Sequence, residues 1–237
     1  MSQTSLAAGA AADAPARPAE SITGLEGPRA VRPDRGRAFW LRPSLFVAFV
    51  TASLSGVVIL LHALHWVTLM YTIRVLAPLT AFVSIALLVH RRHGPEDVFL
   101  NRLVGGLLAG VGGLVAYDLL RLALLFGHLP FNPFRPIEVY GLLILGRYQD
   151  TALTKTVGWA FHVWNGLAFA LMYTMAFGRG RMLWALGWAM ILEVAMLASY
   201  PSLFGIVRNG TFVGVSLTGH LAYGLGLGAT ARQVVKS

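Results

Sequence analysis

The chain has 237 residues and a formal net charge of +9, and 56% of its residues are hydrophobic while only 12% are charged. Soluble domains carry about 25% charged residues, so this composition, with a mean hydropathy of +0.66, excludes an ordinary water-soluble domain. The lack of cysteine excludes disulfides, thiolate metal sites and cysteine nucleophiles.

The N-terminal segment, 1–38, is rich in Ala, Pro, Gly and Arg and shows no apolar period, as in "AAADAPARPAESITGLEGPRAVRPDRGR". A segment of this composition buries too little apolar surface to fold. We therefore predict a disordered basic cytoplasmic tail, followed by one transmembrane domain over 39–237.

Six apolar stretches follow the tail, and each approaches the roughly 20 residues that a helix needs to cross a bilayer. The stretches are 44–65, 69–90, 103–126, 157–177, 183–204 and 211–231. The predicted fold class is all-α, a polytopic transmembrane helical bundle of about six spans.

The basic residues indicate the orientation of these spans. With the N-terminus inside, 13 of the 19 Lys and Arg residues fall in cytoplasmic segments, as the positive-inside rule expects. Basic residues beside spans set topology and contact anionic lipid, so they do not indicate nucleic-acid binding. We expect a cell inner membrane protein with both termini in the cytoplasm.

The segment between the third and fourth spans, 127–156, is predicted to be extracytoplasmic. Pro130, Pro133 and Pro136 interrupt any early helix, and the apolar run "IEVYGLLILG" that follows is too short to cross. A short apolar run of this kind is typical of a re-entrant or interfacial segment. It is interpreted either as a cap packed on the helix ends or as a functional lid.

Ionisable side chains within spans are costly and commonly functional. The candidates for acid/base catalysis or metal binding are Asp118, His162, Glu193 and His220. The candidates for lining a shared cavity are Tyr117, Arg121, Asn165, Tyr173, Tyr200 and Tyr223. Their helical spacings place the groups of each span on one face, and their positions predict a polar cavity in the outer half of the bilayer.

The partners of the acidic residues remain open at this stage. Asp118 and Arg121 are three residues apart and could pair on one helix. Glu193 has no basic neighbour within its own span, so its partner would be Arg121, a histidine, a metal or its own proton.

Glycines cluster in the cytoplasmic halves of the third and sixth spans, where Gly106 and Gly110, and Gly224 and Gly228, have four-residue spacing. Small residues at this spacing allow two helices to approach closely. Tight packing at that end and larger polar side chains at the other predict a cavity that opens outward.

Three functions fit these features. The first is an intramembrane enzyme that acts on a lipid or other apolar substrate, either through a Zn or Fe ion held by the histidines and carboxylates or by acid/base chemistry without a cofactor. The second is a small transporter or proton-coupled carrier. The third is a haem-binding or assembly subunit, with His162 and His220 as haem ligands. Membrane lipid, and an oligomer or membrane-complex partner, are the expected partners.

Overall fold

The computed structural model describes residues 42–90, 98–127, 129–204 and 209–236, and of residues 90 and 200–204 it describes only the backbone. These described residues contain seven helices and no strand. The helices are α1 (Pro43–Ala63), α2 (Leu69–His90), α3 (Val98–Phe126), α4 (Arg135–Leu145), α5 (Ala152–Phe177), α6 (Met182–Phe204) and α7 (Gly210–Val234). The all-α prediction is confirmed. The predicted tail, 1–38, lies outside the described residues.

Five of the described helices are long and apolar enough to cross a membrane, judged by length and composition alone. They are α1, α2, α3, α6 and α7, and they fit a multi-pass membrane protein. α5 has sufficient length, 26 residues, but it also carries Lys155, His162 and Asn165 and is not one of the five. The predicted count of six spans therefore stays a prediction.

The long helices form a ring in which each contacts the next, in the order α3, α5, α1, α6, α7 and back to α3. α2 packs outside the ring against α1, and α4 packs against α5 and α2. Every described residue belongs to one compact unit. Four of its helices, α3, α5, α6 and α7, carry the polar side chains of the candidate site.

α3 and α5 run antiparallel and pack through glycines. A Cβ atom at Gly110 would lie 3.0 Å from the Ala170 Cβ, and one at Gly106 would overlap the Thr174 hydroxyl. At the other end of the same interface, Asp118 meets α5. The glycines therefore set the close approach that brings the polar ends of the two helices together.

α7 uses its own glycines against α3 and α6. A Cβ atom at Gly226 would overlap a carbonyl oxygen of α3, and Cβ atoms at Gly224 and Gly228 would lie 2.9 Å from alanine side chains of α6. The predicted close packing through glycine is confirmed for both helices. The large polar side chains of α3 and α7 lie beyond these contacts.

α4 begins at Arg135 with proline in its first turn, a position where the missing N–H of proline costs nothing. It lies along the first two turns of α5, since Cβ atoms at Gly141 and Gly158 would overlap backbone carbonyls of the facing helix. Gly146 ends α4 with φ of 61°, which glycine adopts without strain. α4 thus packs as a cap on the beginning of α5, and the extracytoplasmic position of the 127–156 loop stays a prediction.

Ion pairs also hold this cap. The Arg135 guanidinium donates to Glu138 at 2.8 Å and to Asp150 at 2.6 Å, and Lys155 of α5 lies 3.2 Å from Glu138. The hydrogen bonds that Arg135 donates to Glu138 and, with a smaller effect, to Asp150 raise the pKa of Arg135 above its ordinary value. Its charge is therefore retained throughout the neutral pH range.

Candidate functional site

Asp118 of α3 and His162 of α5 form the first of two imidazole–carboxylate pairs, which we call the exposed pair. His162 Nε2 lies 3.1 Å from Asp118 Oδ1 and 3.2 Å from Oδ2. The side chains are 28% exposed for Asp118 and 14% for His162. Both carboxylate oxygens therefore lie within hydrogen-bond distance of Nε2. Asp118 therefore pairs across helices and not with Arg121.

Glu193 of α6 and His220 of α7 form the second pair, which we call the buried pair. His220 Nδ1 lies 2.6 Å from Glu193 Oε2, and Glu193 has no exposed surface. The Ser216 hydroxyl donates to the same carboxylate oxygen at 2.9 Å. His220 Nε2 faces the Met196 sulfur at 3.2 Å. Of the partners considered for Glu193, the structure selects a histidine.

Tyr117 of α3 lies against both histidines. Its ring centroid is 5.8 Å from that of His162 and 5.2 Å from that of His220. The guanidinium carbon of Arg121, one turn further along α3, is 4.5 Å from the Tyr117 centroid. One aromatic ring thus connects the exposed pair, the buried pair and a buried arginine.

A cavity of about 50 Å³ lies among these groups. The polar residues and the methionine that line it are Tyr117, His162, Asn165, Met196, His220 and Tyr223, and Leu114, Gly166, Phe169 and Leu192 complete the wall. A water molecule needs about 10–15 Å³ of such volume. The cavity therefore has room for a few waters, and it is too small for a lipid chain.

Three buried polar atoms at this site have no hydrogen-bond partner among the described residues. They are Arg121 Nε, Asn165 Oδ1 and Glu193 Oε1. Buried polar groups are nearly always hydrogen-bonded, and leaving one unpaired costs about 1–3 kcal/mol. Clustered exceptions of this kind mark places where water, a proton or a ligand completes the bonding.

Besides Tyr117, three tyrosines were predicted to line the cavity, and the structure places them differently. Tyr223 lines the cavity, and its hydroxyl donates to the Gly166 carbonyl at 2.7 Å. Tyr173 does not line it: its hydroxyl donates to the Arg181 carbonyl at 3.3 Å. Tyr173 shares a helical face with His162 but lies three turns away, roughly 16 Å along the helix axis. The side chain of Tyr200 lies outside the described residues.

Some residues of the site were not among the candidate catalytic, metal-binding or cavity residues predicted from the sequence. Ser216 and Met196 contact the buried pair, and the edge of Trp159 packs on His162 with 5.6 Å between centroids. Helical spacing could have identified Met196 and Ser216, because Met196 follows Glu193 by three residues and Ser216 precedes His220 by four. No such local signal marks the Trp159 contact as functional.

The metal and haem predictions stay predictions. No three His, Asp or Glu side chains within the described ranges come together as a metal site. Asp118, His162, Glu193 and His220 instead form two separate pairs, with Tyr117 against both histidines.

Comparison of the chain with protein-family models, curated proteins and solved structures gives no match. The site geometry is therefore the basis for the function proposed below.

Proposed function

We propose that this protein is a proton-coupled membrane carrier whose proton path passes through the exposed pair and the buried pair. The observation that carries the proposal is the arrangement of two imidazole–carboxylate pairs around Tyr117, beside a cavity of water-like size. Chains of Asp, Glu and His within membrane bundles are typical of proton relays. The basic bias of the predicted cytoplasmic loops supports a location in the inner membrane.

The two pairs differ in how much of their surface is exposed, which gives the proposed path a direction. Asp118 is 28% exposed, whereas Glu193 has no exposed surface. A proton from solvent would therefore reach Asp118 or His162 first. Imidazole exchanges protons near neutral pH, so His162 is suited to pass the proton inward.

The cavity supplies the next step. His162 and His220 both line it, and so does Asn165, whose side-chain oxygen has no partner among the described residues. Water molecules in this space would hydrogen-bond to such groups and link the two histidines. The unpaired Glu193 Oε1 is suited to hold the arriving proton, because protonation turns an acceptor oxygen into a donor.

Proton uptake by liposomes that contain the purified protein tests this proposal. With a trapped pH dye and a potassium diffusion potential, we expect uptake faster than in protein-free vesicles. Asp118→Asn and Glu193→Gln should each reduce the protein-dependent rate at least tenfold. Glu138→Gln is the matched control, since it removes a carboxylate from the α4 ion pairs and should leave the rate unchanged. Equal rates in all variants, or no rate above empty vesicles, would contradict the proposal.

A second candidate is an intramembrane acid/base enzyme with an apolar substrate. A wide groove runs along an outer face of α5, and its lining includes Lys155, Trp159, Val163 and Leu167. Trp159 contacts His162, which Asp118 orients as in a general-base dyad. In this case His162→Ala would abolish turnover of the substrate, and Glu193→Gln would leave both the turnover and the proton permeability unchanged.

A further inference from the structure

Arg121 is buried, with 4% of its surface exposed. Its guanidinium packs against the Tyr117 ring at 4.5 Å, and no acceptor within the described residues bonds to its Nε. A guanidinium carries five N–H donors and keeps its charge in proteins. A buried charge that lacks both a counter-ion and hydrogen bonds is strongly unfavourable.

The two acidic groups of this cluster pair with histidines. The Asp118 carboxylate is bonded through both oxygens to His162. The Glu193 carboxylate bonds to His220 and Ser216 through one oxygen and forms no ion pair with Arg121. Within the described residues the arginine therefore has a packing surface, but its Nε has no hydrogen-bond acceptor.

We propose that Arg121 binds an anionic group of a ligand, either a carboxylate or a phosphate. The planar guanidinium fork matches both groups through paired hydrogen bonds. Tyr117 packs against the guanidinium and leaves its N–H edge to bond such a group. The binding site rests on these contacts alone; its interpretation as the cargo site of the carrier rests on the function proposed above.

Ligand-induced stabilisation provides the test, because a ligand that binds only the folded state raises the unfolding midpoint. The protein in phosphatidylcholine nanodiscs is titrated with sodium phosphate and with sodium acetate, against sodium chloride at matched ionic strength. A third arm replaces part of the phosphatidylcholine with phosphatidylglycerol. We expect a saturable rise of the midpoint in at least one arm. A response to the soluble salts alone indicates a soluble anion, and a response in the third arm alone indicates a lipid headgroup.

Three variants tie the response to this side chain. Arg121→Gln should remove the rise, and Arg121→Lys should weaken the affinity at least tenfold because lysine keeps the charge but loses the fork. Arg147→Gln removes the same charge from an exposed position and should respond like the wild type. If Arg121→Gln does not fold, the test rests on whether Arg121→Lys binds the anion more weakly than Arg147→Gln does.

The proposal is overturned by equal responses of the wild type and the Arg121 variants, or by the lack of a saturable response in every arm. Binding is measured at equilibrium without a proton gradient. A failure here therefore leaves the proton-uptake result standing, and a failure of proton uptake leaves the binding site standing.

Discussion

Tyr223 illustrates how single side chains shape the cavity. It is buried, and its hydroxyl reaches across from α7 to the carbonyl of Gly166 on α5. Gly166 leaves the space into which Leu114 and the cavity extend. The hydrogen bond thus joins two residues of the cavity wall, one from α5 and one from α7.

Replacement of this hydroxyl tests its role. Tyr223→Phe should lower the free energy of unfolding by about 0.5–1.5 kcal/mol, the usual net value of one buried hydrogen bond. Tyr71→Phe is the matched control, because Tyr71 is exposed. Reversible unfolding in mixed micelles measures both. Equal losses in the two variants would contradict a specific role for Tyr223.

The buried pair leads to a different prediction. Glu193→Ala should cost about 3–5 kcal/mol, because it leaves the buried His220 without its carboxylate partner. The double change Glu193→Met with His220→Leu should recover most of that loss, since an apolar pair of similar volume avoids the desolvation cost. The same unfolding measurement applies. A double variant as unstable as the single one would show that the pair itself stabilises the bundle.

At the scale of the element, α4 is held on α5 by backbone contact. A methyl group at Gly141 would overlap the Thr154 carbonyl, whereas one at Gly214 would meet nothing within 4 Å. We expect Gly141→Ala to destabilise the protein by about 1–3 kcal/mol through overpacking. Gly214→Ala should stabilise it by up to about 1 kcal/mol, the gain in helix propensity. Similar effects at both positions in an unfolding assay would contradict this packing.

The ion pairs of α4 should contribute less. Lys155→Ala is expected to cost under about 1 kcal/mol, because Lys155 and Arg135 are half exposed. Most of that cost should vanish at 1 M salt, where the Debye length is about 3 Å. Because the pKa of Arg135 is raised in the folded protein, the charge of Arg135 contributes its full stabilisation below the ordinary arginine pKa. That stabilisation is lost only as the pH rises through the raised pKa. The stability difference between wild type and Lys155→Ala, measured at low and high salt, tests this prediction.

At the scale of the whole molecule, the number of crossings depends on α5. Its contacts with α3 run from Thr174 against Gly106 to His162 against Asp118, so the two helices lie antiparallel over most of their length. α3 is one of the helices apolar enough to cross a membrane. We therefore expect α5 to cross with it, which gives six crossings and both termini on the cytoplasmic side.

Cysteine labelling in intact cells distinguishes six crossings from five, and the chain supplies a cysteine-free background. Tyr148→Cys, at a fully exposed position between α4 and α5, should react with an impermeant maleimide. Lys236→Cys should react only after the membrane is permeabilised. Labelling of both without permeabilisation would mean that α5 does not cross.

The sequence alone predicts most of the helices because the information is local. The ends of α2, α3, α5 and α6 agree with the predicted spans at Leu69, Phe126, Phe177 and Phe204, since apolar runs and their boundaries are read along the chain. The glycine positions were informative for the same reason: a residue without a side chain allows close approach whatever its partner. The polar residues on each helical face were also identified from spacing.

The pairing of those residues was decided by the tertiary structure. Asp118 bonds to His162, 44 positions along the chain, although Arg121 lies three residues away on the same helix. Tyr173 shares the correct face but lies too far along α5 to reach the cavity. Such contacts depend on the rotation and register of helices packed against each other, and these quantities are set by the whole interface. Local sequence therefore determined which groups could meet, and helix packing determined which of them did.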